Sequence, residues 1–104
     1  MPTPNRGEVW IIDLGLAAKV RPCPVLSLPA GQNDRSLVTV VTHTTSPRSS
    51  QFEVNIPVRF LKPGVFDAQN LVTVPNAKLI RGLGKLQLPE LGLVEDAVRR
   101  WLGL

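Results

Sequence analysis

Two prolines one residue apart, inside an otherwise apolar run, limit what this chain can fold into more than any other feature. The run is Val20-Arg21-Pro22-Cys23-Pro24-Val25-Leu26-Ser27. A residue before proline is pushed to extended backbone, so Arg21 belongs to a loop or a strand start and not to a helix. Neither proline can donate a ladder hydrogen bond, so one side of a strand here must lie at an edge or a break in the sheet. The stretch therefore presents one fixed guanidinium, permanently charged and able to donate in a planar fork to a phosphate.

The remaining prolines and glycines divide the chain into short segments, which argues against a helical bundle. At 104 residues the length fits one domain, residues 1–104, with one modest core. Residues 1–6 read as a loose lead-in. Gly7–Leu14 is the first strong strand signal, rich in β-branched and aromatic residues. Gly15–Lys19 is a short connection and Val20–Leu28 a second strand. After a turn cluster at 29–35, Ser36–Thr45 is the clearest strand, with Val38, Val40, Thr42 and Thr44 on one face and Thr39, Val41, His43 and Thr45 on the other. Phe52–Val58 reads as a strand, Leu61–Asp67 as a turn-rich crossover and Asn70–Val74 as a short strand. Leu79–Leu86 is irregular or a final strand. One helix closes the chain: Pro89 suits its first turn, Leu91, Val94, Val98, Trp101 and Leu102 recur at helical spacing, and Gly103 is a natural stop. The expected fold is mainly β, a small and strongly bent β-barrel with a C-terminal helix.

Residues 1–87 carry ten Lys or Arg against five acidic residues, whereas residues 88–104 carry two against three. The positive field belongs to the body of the domain and favours polyanions or an acidic partner. Cys23 is the sole cysteine and His43 the sole histidine, so neither a disulfide nor a His/Cys metal cluster is expected. The N-terminus has no apolar run of a secretory signal and no window reaches a membrane span, so the expected location is cytoplasmic.

Three polar groups remain once the apolar strands are set aside: Arg21, the Thr42–Ser46 run, and Asn76 with Lys78. There is no carboxylate pair, no Ser/His/Asp spacing and no glycine-rich phosphate cradle. Cations, hydroxyls and one imidazole suit cleavage of RNA without metal or cofactor. The substrate's own 2′-hydroxyl is the nucleophile there, and the protein aligns it and stabilises a charged phosphorane.

Four segments carry a family resemblance. Arg6–Leu14 resembles the opening strand of the MazF/PemK (Kid-like) toxins. Val20-Arg21-Pro22 leading into Val25-Leu26-Ser27 resembles their Arg-Pro strand. Val41–Ser46 followed by Phe52-Glu53-Val54 is similar to their third and fourth strands. Val74–Ile80 resembles a late motif in which those toxins usually have Asp-Gln before a basic residue. The terminal helix is similar as well. The resemblance implies the toxin of a type II toxin–antitoxin pair: a homodimeric, metal-independent endoribonuclease that cuts single-stranded RNA and leaves a 2′,3′-cyclic phosphate and a 5′-hydroxyl. It implies that Arg21 and Thr44 are catalytic, and that an antitoxin with an acidic segment occupies the RNA groove.

Each residue also has a plainer reading. Arg21 could be a surface ion-pair arginine and Thr44 a strand threonine selected for β-propensity. Lys19, Arg48 and Lys78 are candidate phosphate contacts, joined by His43, Thr45 and Asn76 as candidate RNA contacts; singly, each cation is a solvated charge. His43 reads as an exposed strand-end residue and Thr45 as local structure. Cys23 and Trp101 read as packing residues. The short connection before Arg21 supports a second reading, a catalytically weak module of the same fold that binds RNA or an antitoxin. A third branch of the fold, toxins that trap a DNA topoisomerase, lacks support from an Arg21–Thr44 pair.

Overall fold

A computed structural model describes residues 3–15, 17 and 19–104. Met1 and Pro2 of the lead-in, and Leu16 and Ala18 of the first connection, lie outside the described residues. The elements are β1 (Glu8–Asp13), β2 (Val20–Pro24), β3 (Leu37–Thr44), β4 (Glu53–Val54), β5 (Val65–Pro75), a 3-10 turn (Asn76–Lys78), β6 (Leu79–Lys85) and α1 (Leu88–Leu102). They form two three-stranded antiparallel sheets, ordered β2-β1-β6 and β3-β5-β4. The expected mainly-β architecture with a closing helix is what the chain adopts.

Among the described residues, one isolated bridge joins the two sheets. Val25, just past β2, bridges Val40 of β3, and the Leu26 amide donates to the Thr39 carbonyl at 2.9 Å. The Val25 amide faces the other way, donating to Glu8 at 2.8 Å. Backbone groups alternate sides along a strand. Positions 22 and 24 therefore point their nitrogens toward β3, and both are proline. The ladder between β2 and β3 stops where its donors stop. The strand is shorter than the expected Val20–Leu28, and the break in the ladder is where the prolines placed it.

Two apolar clusters hold the sheets. Val9, Val41, Phe66, Leu86, Leu91 and Val94 pack beneath the helix, and Ile12, Cys23, Val25, Val38, Val40 and Leu79 pack between the sheets. β3 serves both, Val41 in the first and Val38 and Val40 in the second, which is why its central residues are apolar on both faces. Glu90 accepts the Gln87 amide at 2.7 Å and begins the helix; Gly103, at φ 74°, ends it with its amide on the Arg99 carbonyl.

Two elements differ from expectation, and a third settles a choice left open. Phe52–Val58 contributes only the two residues of β4. The crossover and short strand expected over 61–74 are instead one 11-residue strand, β5, interrupted by a bulge. Its register jumps from Val41↔Leu71 to Thr42↔Asp67, so Ala68, Gln69 and Asn70 have no partner on β3. Leu79–Lys85, read as irregular or a final strand, is an edge strand whose pairing with β1 shifts register twice.

Gly64 enters β5 against the end of β3. A Cβ there would lie 2.2 Å from the Thr44 carbonyl oxygen and 2.8 Å from His43 Cε1. The backbone of one partner and a buried ring on the other leave no room to give. Gly64→Ala should cost about 2 kcal/mol or more of folding stability, measured as a lowered urea midpoint at unchanged m-value.

Candidate active site

β3 emerges from the core with its residues already sorted by face. Val38 and Val40 belong to the inter-sheet cluster, and the same face continues as Thr42 and Thr44. Directly paired residues of an antiparallel ladder share a face. Asp67 of β5 pairs with Thr42 and also with Glu53 of β4, so Thr42, Asp67 and Glu53 form one polar row across the sheet.

β2 supplies the opposite wall. Arg21 pairs with the buried Ile12, and Cys23 on the same face is wholly buried. Arg21 is thus the outermost residue of the core-facing side of β2. The Val25–Val40 bridge sets an antiparallel register. Carried on past the prolines, that register brings Arg21 opposite Thr44. The result is a groove of about 580 Å³ lined by Arg21, Thr42, Thr44, Arg48, Glu53 and Asp67, with Gln69, Asn70 and Trp101 around them.

Hydrogen bonds fix the lining. The Ser46 amide donates to Thr44 Oγ1 at 3.1 Å, which occupies that oxygen as an acceptor and leaves its hydroxyl hydrogen to donate elsewhere. Asn70 Nδ2 donates to Thr42 Oγ1 at 2.9 Å. Glu53 gathers the 46–51 loop: it accepts the Arg48 amide at 2.9 and 3.1 Å on its two oxygens and the Ser50 amide at 3.1 Å. Among the described residues, Asp67 accepts only the Gln69 amide, at 3.1 Å. Trp101 stands edge-on to Phe52, with ring centroids 5.3 Å apart, and is 43% exposed. It borders the groove and is not the packing residue that the helical pattern suggests.

The sequence-derived site residues separate into four groups. Arg21, Thr44 and Arg48 come together in the groove. Thr45 and His43 lie on the other face of β3, beside a second groove that also touches Arg21. Lys19 is exposed in the β1–β2 turn at φ 61° and does not line the groove. Asn76 and Lys78 follow the far end of β5, where Pro75 pairs with Leu37, at the other end of β3 from Thr44. Asn76 is moreover buried, 6% exposed. The side-chain amides that line the groove with Thr44 are those of Gln69 and Asn70, not that of Asn76. Their signal in the sequence was the polar interruption Asp67-Ala-Gln-Asn inside an otherwise apolar strand. Glu53 and Asp67 were missed because fourteen positions separate them, and only the β4–β5 register makes them neighbours.

His43 corrects a second expectation. It is 3% exposed, edge-on to Phe66 with centroids 5.0 Å apart. Phe66 is its paired residue on β5, so both face the core beneath the helix. The end of β3 is covered there because Gly64 allows β5 to begin tight against it. Burial pushes the imidazole below its usual 6.5, since a charged ring loses its water. Cys23 is likewise closed to chemistry: burial pushes its thiol up to about 12, against the opposing pull of Arg21.

Comparison with known proteins gives these features their family. A family model described as PemK-like, MazF-like toxin of type II toxin–antitoxin systems matches residues 5–102. The chain belongs to that toxin family. The structure is similar to a mycobacterial endoribonuclease solved with its cognate antitoxin, at 27% identity and TM-score 0.82, covering 97% of this chain and 96% of that one. It is similar to the Mycobacterium tuberculosis toxin MazF-mt6, at 27% identity and TM-score 0.79, covering 93% and 97%. It shares its fold with MazF from Deinococcus radiodurans, at 21% identity and TM-score 0.82 over the whole of both chains. No curated protein matches significantly. Among the described residues, no helix of this toxin is long and apolar enough to cross a membrane.

The buried imidazole makes a testable contribution to stability. Its folded value is depressed, so the unfolded chain binds the proton more readily and stability falls as pH drops through and below 6.5. His43→Phe should remove that share of the loss. From pH 7.5 to 5 the melting temperature should fall less steeply in the variant than in the parent chain.

Proposed function

We propose that this toxin is an endoribonuclease that cuts single-stranded RNA in the groove between Arg21 and Thr44, without a metal or cofactor. The observation that supports the reading is the meeting of these two side chains across the open end of β2 and β3. The scissile phosphate sits between them. The 2′-hydroxyl oxygen of the preceding nucleotide attacks phosphorus and the bond to the 5′-oxygen breaks, leaving a 2′,3′-cyclic phosphate and a 5′-hydroxyl. Arg21 donates its planar fork to the non-bridging oxygens as charge accumulates. Thr44, already accepting from Ser46, donates its hydroxyl hydrogen to the same phosphoryl group. Arg48 contributes a phosphate contact at the groove edge.

The toxin domain spans residues 1–104, acts in the cytoplasm as a homodimer, and is neutralised by a cognate antitoxin whose acidic segment covers the positive surface. Lys19, Thr45 and Lys78 lie outside the groove and contribute to the field that draws RNA in.

Labelled single-stranded RNA incubated with the purified protein in EDTA should be cut, with cyclic-phosphate and 5′-hydroxyl ends. Intact RNA, or ends carrying a 5′-phosphate, would refute the proposal. Binding without cleavage would instead identify an RNA-binding module, the reading that the short Gly15–Lys19 connection favours. Arg21→Lys keeps the charge and removes the fork, and Thr44→Val keeps the shape and removes the hydroxyl. Each should lower kcat by about 10²-fold or more, with RNA affinity changed far less.

A further inference from the structure

Cleavage by a 2′-hydroxyl requires a group to take the proton from that hydroxyl, and neither Arg21 nor Thr44 can do so. Arg21 is always protonated and has no acceptor atom. A neutral threonine hydroxyl is not a base at neutral pH. His43, the one side chain that ordinarily titrates near neutrality, is on the wrong face of β3 and buried against Phe66. Cys23 is buried and its thiol is pushed up to about 12. The titratable side chains that line the groove are Arg21, Arg48, Glu53 and Asp67, which leaves two carboxylates.

Their environments separate them. Glu53 is a structural acceptor, with both oxygens engaged by loop amides of Arg48 and Ser50. Among the described residues, the Asp67 side chain accepts one hydrogen bond, from the Gln69 amide to Oδ1. It sits in mid-groove. Its paired residue on β3 is Thr42, so it lies diagonally from Thr44, which pairs with Val65. Diagonal neighbours on one face are about 7–8 Å apart, a gap that a ribose and its phosphate can fill. A phosphate held by Arg21 and Thr44 places the attached ribose toward Asp67.

We infer that Asp67 is the proton acceptor of the reaction, a catalytic residue that the sequence did not single out. This rests on the endoribonuclease reading given above. Asp67 takes the 2′-hydroxyl proton as the 2′-oxygen forms its bond to phosphorus. The P–O5′ bond breaks, the 5′-oxygen takes a proton from water, and the proton on Asp67 is then lost to solvent. Atoms and charge balance with no further reactant. A carboxylate beside a phosphate also repels it, so Asp67 weakens ground-state binding while it assists the transition state. That combination distinguishes a base from a binding residue.

The test compares the parent protein with Asp67→Asn and Asp67→Glu on one labelled RNA, measuring kcat and, with a substrate blocked by 2′-deoxy at the scissile position, Kd. Asparagine keeps the shape and the acceptor for the Gln69 amide, so the fold is expected to persist; melting curves verify this. Asp67→Asn should lower kcat by about 10²-fold or more while Kd stays level or tightens. Asp67→Glu, which restores a carboxylate, should recover part of the rate. Cleavage by Asp67→Asn within about threefold of the parent overturns the inference, as does a loss confined to Kd. If Asp67→Asn fails to fold, the glutamate variant decides: activity no higher than that of Thr44→Val overturns the role. A parent protein that does not cut RNA at all refutes the endoribonuclease reading itself, a different outcome from an active parent with an active Asp67→Asn.

Discussion

The absence of two backbone N–H groups, at Pro22 and Pro24, is the constraint on which the site depends. Each would have faced β3. Without them the bridge at Val25–Val40 is not continued as a ladder toward Arg21 and Thr44. The same strand is firmly held on its other side, where β1 pairs with it from Val9↔Pro24 to Asp13↔Val20. One edge is fixed and the other is free, so β2 forms a wall and not the middle of a sheet. Arg21 stands at the end of that wall, and the unpaired register brings Thr44 opposite it. Apolar burial of Ile12, Cys23 and Val25 anchors the wall below.

Charge is divided in a way that the net value conceals. The groove carries two arginines, Arg21 and Arg48, and two carboxylates, Glu53 and Asp67, so it is locally balanced. The surplus of cations in the body of the chain lies around it. Lys62 and Arg81 border the adjoining groove that shares Arg21, and Arg59 and Lys85 border the next, reached through Phe60; all four are exposed. On the proposed reading, long-range attraction of a polyanion and local chemistry on one phosphate fall to different residues, and the first is screened by salt.

The sequence already disclosed the parts of this arrangement that are local. The ends of the helix, the first strand, the break at Pro22 and Pro24, and the facing of Thr42 and Thr44 all follow from periodicity or from proline chemistry. What it hid depends on pairing. The length of β5 was concealed by Pro63-Gly64 at its start and by the polar bulge within it, each of which reads locally as a turn. His43 looked exposed because its neighbours are hydroxyl residues; its burial comes from Phe66 across the ladder. Asn76 is a candidate RNA contact from the family resemblance of Val74–Ile80, and it lies at the far end of β5 from the groove that Gln69 and Asn70 line. Only the β3–β5 register reveals that.

If the two prolines hold the site open, giving β2 back its donors should close it. The most direct measurement is the RNA cleavage rate of the double variant Pro22→Val, Pro24→Val. Valine supplies an N–H at each position and favours strand, so β2 should pair with β3 up to Arg21 and the groove should narrow. Cleavage should fall by at least about tenfold in a protein that melts no lower than the parent. An unchanged cleavage rate in that variant would contradict the claim that the broken ladder makes the active site.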